Sequence, residues 1–173
     1  MTQRGNERAE VRTIAQAVRS AAERHFRRNK TLRNRSLIVS LAFSDLLHLH
    51  GVEHSLVGGV FTFYKFSGKV RFGDPEAIQF SRSDYDITEH HAWVEINGQI
   101  WDLTLTQFDK SAAAVSVLDS NDPRYRVRDD HASRDCAEIW LRLNGIYHDA
   151  EAITNAARAA LEPEAAAPHG GAR

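Results

Sequence analysis

Between positions 7 and 26, apolar residues recur at Val11, Ile14, Ala15, Val18, Ala22 and Phe26, the three-and-four spacing of a helix with one apolar face. This predicts an amphipathic, peripheral first helix. From Ser36 to Gly51 the pattern changes: Leu37, Ile38, Val39, Leu41, Ala42, Phe43, Leu46, Leu47 and Leu49 cover nearly every side of a helical wheel. A helix apolar all round is a buried one, so this is the expected central helix, with Gly51 as its C-terminal stop. The run SLVGGVFTFYKF, Ser55 to Phe66, is rich in Val, Phe, Thr and Tyr and reads as a strand with a bulge at Gly58 and Gly59. Ser67 to Thr88 is polar and broken by Gly68, Gly73 and Pro75, and it reads as a surface loop or lid. In HHAWVEINGQIWDLTL, two alternating runs flank Asn97 and Gly98, a strong hairpin signal. Ala112 to Asp130 holds a turn at Asn121 to Pro123 and little regular pattern. Cys136, Ile139, Trp140, Leu143 and Tyr147 then form one helical stripe that is expected to bury Cys136, and a last helix, about Ala150 to Leu161, places Ile153, Ala157 and Leu161 on one side.

The expected fold is α+β: a buried central helix packed on a small antiparallel sheet, flanked by peripheral helices. The 173 residues, 42% hydrophobic and 26% charged, fit a single domain over 1–161, followed by a disordered tail at 162–173 of small residues, Pro and Gly. Lys plus Arg is 22 against Asp plus Glu at 23, so the overall field does not favour nucleic acid as a partner. A local basic run, Arg24, Arg27, Arg28, Lys30, Arg33 and Arg35, reads as a solvated helix end, because no aromatic beyond Phe26 is interleaved for base stacking.

The single cysteine excludes an internal disulfide and a Cys-rich zinc site and suits a reducing compartment. The start MTQRGNERAE has no apolar signal core, and no run approaches the roughly 18 apolar residues of a membrane span. A cytoplasmic protein with no membrane partner is expected. His48 and His50 point to different helix faces and Gly51 interrupts the helix before His54, so no clean i, i+4 zinc spacing lies on one helix and neither a metal nor a cofactor is expected.

A type I′ turn at Asn97-Gly98 sets Ile96 opposite Gln99, Glu95 opposite Ile100, Val94 opposite Trp101 and Trp93 opposite Asp102. Ala92, Val94, Ile96, Trp101, Leu103 and Leu105 then share the core face, while His91, Trp93, Asp102 and Thr104 share the other. His91 lies diagonal to Asp102 at roughly 7 Å between backbone positions, within reach of a carboxylate that orients an imidazole. An ordinary cross-strand pair on a half-exposed sheet face has the same sequence signature. His90 points to the opposite side in this register.

The run HAWVEINGQIWDLTLTQF, His91 to Phe108, resembles the His and Asp region of transglutaminase-like, papain-fold proteins of bacteria and phages. In that family a catalytic Cys opens a buried helix, His lies on a following strand and Asp on the next; the order here is similar over about Asn34 to Phe108. The resemblance implies acyl transfer to an acceptor, or hydrolysis, of an amide or peptide bond, with His91 as base and later acid and Asp102 as orienter. A peptide, a protein or an amide-containing small molecule is the implied partner. Where the family has Cys, this chain has Ser36.

A thiol near a helix N-terminus and a His ionises near neutral pH, whereas a serine hydroxyl needs proton removal during attack and an oxyanion site matched to its shorter bond. Three readings of Ser36 stand open: a degenerate enzyme that now binds a ligand or partner, a working serine variant, and a Cys replaced deliberately. Ser36 also suits a plain helix N-cap. Trp93 is expected to wall a substrate cleft, to shield the His-Asp pair from water, or simply to pack. Gln107 is expected to donate to a substrate carbonyl or close a turn, and Asn34 to join an oxyanion site or cap the helix.

Overall fold

The computed structural model describes residues 3–27, 32, 34–64, 86–127 and 134–162. In chain order the elements are α1 (Gln3–His25), α2 (Ser36–Leu49), β1 (Ser55–Tyr64), β2 (Asp86–Ile96), β3 (Gln99–Asp102), a single 3-10 turn (Leu105–Gln107), β4 (Ser116–Asp119), β5 (Tyr125–Val127), α3 (Arg134–Leu143) and α4 (Tyr147–Leu161). The strands form one antiparallel sheet in the order β4-β3-β2-β1-β5. The fold is α+β, and among the described residues no helix is long and apolar enough to cross a membrane.

The all-round apolar pattern of α2 has the expected consequence: Ile38, Val39, Leu41, Ala42, Phe43, Leu46 and Leu47 are buried, and only Leu49 at its end is largely exposed. Gly51 stops the helix. With φ at +68°, it donates to the His48 carbonyl (3.1 Å), and Val52 donates to the Leu47 carbonyl (2.9 Å), a Schellman closure that a left-handed glycine permits. Val11, Ile14, Ala15, Val18 and Ala22 of α1 face the same core, which α4 completes with Ala150, Ile153 and Ala157. Ser40 Oγ donates to the Ala92 carbonyl at 3.0 Å, fastening the first half of α2 to β2.

The hairpin register is as the turn dictates: Ile96 with Gln99, Glu95 with Ile100, Val94 with Trp101, with φ of +50° at Asn97 and +72° at Gly98, the two left-handed positions of a type I′ turn. Leu56, Val94, Ile96, Trp101 and Leu103 line the helix-covered face. The other face is not the half-exposed one that an ordinary cross-strand pair would occupy, because Val57, Phe61, Trp93, Ile100, Leu105 and Tyr125 build a second core there. Leu105 belongs to that second core and not to the helix face, since the 3-10 turn after Asp102 breaks the strand alternation.

Four further expectations are corrected. Gly58 and Gly59 form no bulge, pairing in unbroken register with Ala92 and His91; Gly59 is small because a Cβ there would collide with the Arg126 carbonyl oxygen and the Trp93 ring. The loop expected over Ser67 to Thr88 ends sooner, since β2 begins at Asp86, and 67–85 lie outside the described residues. The stretch expected to lack pattern contains β4 and β5.

The fourth correction concerns α3, which packs through Ala137 and Leu141, leaving Cys136, Ile139, Trp140 and Leu143 exposed. Asp45 on α2 takes hydrogen bonds from the Arg134 guanidinium at 2.7 Å and fixes that orientation. Helix α4 ends at Leu161, and Glu162 takes extended backbone, as the residue before Pro163 must. Positions 163–173, most of the expected tail, lie outside the described residues.

Candidate functional site

The second core encloses one histidine–carboxylate pair. His91 Nε2 lies 2.6 Å from Asp102 Oδ2, and neither side chain has any solvent exposure. The hairpin produces this contact because β2 and β3 project both residues to one face: beyond the last pair, Val94 with Trp101, Asp102 is the next residue of β3 and His91 lies three positions back along β2. Asp102 accepts three more hydrogen bonds: the Thr104 amide to Oδ1 (2.7 Å), the Thr104 hydroxyl to Oδ1 (3.1 Å) and the Tyr125 hydroxyl to Oδ2 (2.8 Å). The Thr104 contacts form a local Asx turn. The carboxylate thus ends β3 as well as holding the histidine.

Burial pushes the Asp102 carboxyl up; the charge and hydrogen bond of His91, the Thr104 amide and the Tyr125 hydroxyl outweigh it and hold the group below the usual carboxylate range. Burial, then the facing Asp102 charge, raises the Tyr125 phenol far above its ordinary value, so it remains a donor. With Asp102 ionised, a neutral His91 carries its proton on Nε2, and Nδ1 is then the acceptor nitrogen.

That nitrogen faces Gln107. Gln107 Nε2 lies 3.4 Å from His91 Nδ1 and 3.4 Å from Thr104 Oγ1, while Gln107 Oε1 accepts the Asn34 amide at 3.0 Å. Asn34 adopts φ of +58°, a left-handed conformation that Asn tolerates better than most residues. Asn34, Gln107, His91 and Asp102 are therefore one hydrogen-bonded chain, running from the turn before α2 to the end of β3.

Ser36 is the first residue of α2, and Arg35 occupies the N-cap without a side-chain hydrogen bond; the N-cap role considered for Ser36 is not the one it has. Ser36 lies one helical turn before Ser40 on the same helix face, the face fastened to β2. Among the described residues, Ser36 Oγ has no hydrogen-bond partner.

Trp93 is fully buried in the second core, its Nε1 donating to Glu95 at 3.0 Å. Its ring packs beside His91, with centroids 6.1 Å apart. His90, by contrast, is exposed. Cys136, expected in the core, is exposed and out of line with the chain of contacts. His54 binds Ser44 (2.7 Å) and the Val52 carbonyl (2.8 Å), and His50 binds Glu10 (3.2 Å), so these histidines do not converge. Among the described residues no group of three His, Cys, Asp or Glu side chains is placed to hold a metal.

The sequence reading missed Tyr125. Its signal is only a three-residue strand, and its partner becomes apparent once β5 is seen beside β1, with Tyr125 opposite Phe61. Asp122 helps place it by gripping the neighbouring Arg124 at 2.9 Å and 2.6 Å, with Arg124 stacked 5.7 Å above the Phe61 ring. Tyr125→Phe is expected to lower stability by about 2 kcal/mol, the worth of a hydrogen bond to a buried charge. Urea unfolding at neutral pH checks this, and a loss under about 0.5 kcal/mol would mean that Asp102 does not depend on the phenol.

No protein-family model, no curated protein and no solved structure matches this chain.

Proposed function

We propose that this chain is a transglutaminase-like acyl-transfer protein, in which His91 and Asp102 serve a nucleophile at position 36. The observation that carries the reading is the buried 2.6 Å His91–Asp102 pair, with Nδ1 facing the side chain that holds the turn before Ser36. In the reaction, His91 Nδ1 takes the proton of the nucleophile as its oxygen or sulfur bonds to the amide carbon. Nδ1 then returns the proton to the departing nitrogen as the C–N bond breaks. Water or another acceptor removes the acyl group. Asp102 holds the ring and offsets the imidazolium charge, and the Asn34 amide, already bound to a carboxamide oxygen, is suited to a substrate carbonyl. Peptides, proteins and small amides are the substrate classes, and the chemistry calls for no cofactor.

A second reading, a binding module that keeps the site without a competent nucleophile, is favoured by Ser36 Oγ, which among the described residues has no hydrogen-bond partner to take its proton. The same test separates the two. In Ser36→Cys, made with Cys136→Ala to remove the exposed thiol, alkylation is followed against pH. The expected thiol reacts well below the ordinary midpoint of about 8.5, and the added change His91→Gln slows it at least roughly tenfold at pH 6. If turnover of an amide appears in Ser36→Cys but not in the parent, the serine disarms the site. An ordinary pH profile, unaffected by His91→Gln, overturns the triad.

A further inference from the structure

We propose that Gln107 is a positioning residue that holds His91 with Nδ1 unprotonated and facing the approach to α2. This rests on the acyl-transfer reading only for its purpose; the geometry stands without it. A carboxamide can present either its oxygen or its NH2 group to a histidine, and the choice decides the proton's place on the ring. Here the choice is made at the other end. The Asn34 amide is a backbone donor, so the atom 3.0 Å away must be the oxygen, Oε1. The NH2 group is thereby turned to His91 Nδ1 and to Thr104 Oγ1, at 3.4 Å each.

Thr104 Oγ1 can accept this contact because its own hydrogen is donated to Asp102 Oδ1. The ring is consequently bracketed: the carboxylate demands a proton on Nε2, and the carboxamide donates to Nδ1. Both ends specify one tautomer, the one a general base requires.

Solvent access points to the same residue. Among the described neighbours of the His91 ring, Asp102, Trp93, Phe61 and Tyr125 are buried, while Gln107 and Phe108 are partly exposed. Both belong to the 3-10 turn and its C-cap, which is the least buried part of the ring's described surroundings. A ligand that reaches His91 by that turn displaces the Gln107 carboxamide and inherits two of its three contacts, the Asn34 N–H as donor for its oxygen and His91 Nδ1 as acceptor for its N–H.

Two substitutions reverse or remove the signal. Gln107→Glu keeps the acceptor for Asn34 but presents an anion to Nδ1, favouring a proton there; Asp102 and Tyr125 are the other titratable groups facing the ring. Gln107→Met keeps the length and has no donor. The measurement is 15N-detected NMR of the imidazole nitrogens in the full chain, with the His91 signals assigned by their loss in His91→Gln.

The expected result is an unprotonated Nδ1 in the parent, a proton affinity of His91 raised about tenfold or more in Gln107→Glu, and a mixed tautomer in Gln107→Met. Should Gln107→Glu not fold, the tautomer in Gln107→Met decides alone. If the foldable variants keep the parent's nitrogen shifts and titration, Gln107 only fills space and the proposal fails. Neither Ser36 nor a substrate enters the readout, so a failed thiol experiment with a positive NMR result would sink the acyl-transfer reading and leave the positioning role intact.

Discussion

Asp102→Asn is expected to cost about 3 kcal/mol, the upper end of the range for hydrogen bonds to a buried charge. The new amide is the same size, so the loss is one of polarity. Thr104 N–H is a backbone donor and cannot turn away, so the asparagine oxygen goes to Thr104 and its NH2 faces His91 and Tyr125. His91 must then leave Nε2 unprotonated and carry its proton on Nδ1, where it meets the NH2 of Gln107. The substitution thus disturbs both sides of the ring, and any reaction that uses Nδ1 as base is lost with it.

Acid should imitate the substitution. The native carboxyl is held below its ordinary value, so the stability it contributes is complete above the unfolded value near 3.9. That stability is lost as pH falls through the lower folded value. Urea unfolding from pH 7 to pH 2 is expected to show this decline in the parent and a weaker one in Asp102→Asn. Equal slopes in the two proteins would contradict the linkage, and a loss below about 1 kcal/mol at pH 7 would mean that the pair is not buried as described.

Gly59→Ala carries the second large effect. Its Cβ would enter the space of the Arg126 carbonyl on β5 and the Trp93 ring on β2. The first is backbone and the second is locked in the core, so neither yields easily. About 3 kcal/mol of overpacking is expected, a fall of roughly 6–12 °C in Tm for a domain of this size. The neighbour most able to move is β5, and β5 carries Tyr125. Gly59→Ala should therefore also remove the phenol from Asp102, making the loss in Gly59→Ala with Tyr125→Phe smaller than the sum of the two single losses. Additive losses would place the strain elsewhere, in the Trp93 ring.

The parts of this molecule that could be read from the chain are those in which local chemistry fixes long-range geometry. Asn97-Gly98 dictates a turn, the turn a register, and the register the diagonal that joins His91 to Asp102. The continuous apolar surface of α2 likewise leaves only a buried position. What could not be read depends on contacts between distant segments. Helix α3 has two apolar stripes, and its larger one faces outward because Ala137 and Leu141 pack inward and Arg134 reaches Asp45 on α2. The second core draws Phe61, Trp93, Leu105 and Tyr125 from separate elements. Tyr125 in particular sits on a strand too short to show any alternation.

That short strand bears on how the site behaves in time. β5 has three residues and, among the described residues, stands at the sheet's margin with a single neighbour, β1. Marginal segments with few cross-strand bonds breathe on their own, at free energies far below that of global unfolding. Each such opening detaches the phenol while the hairpin stays closed. The carboxylate then alternates between two hydrogen-bonding environments, one that includes the phenol and one that lacks it.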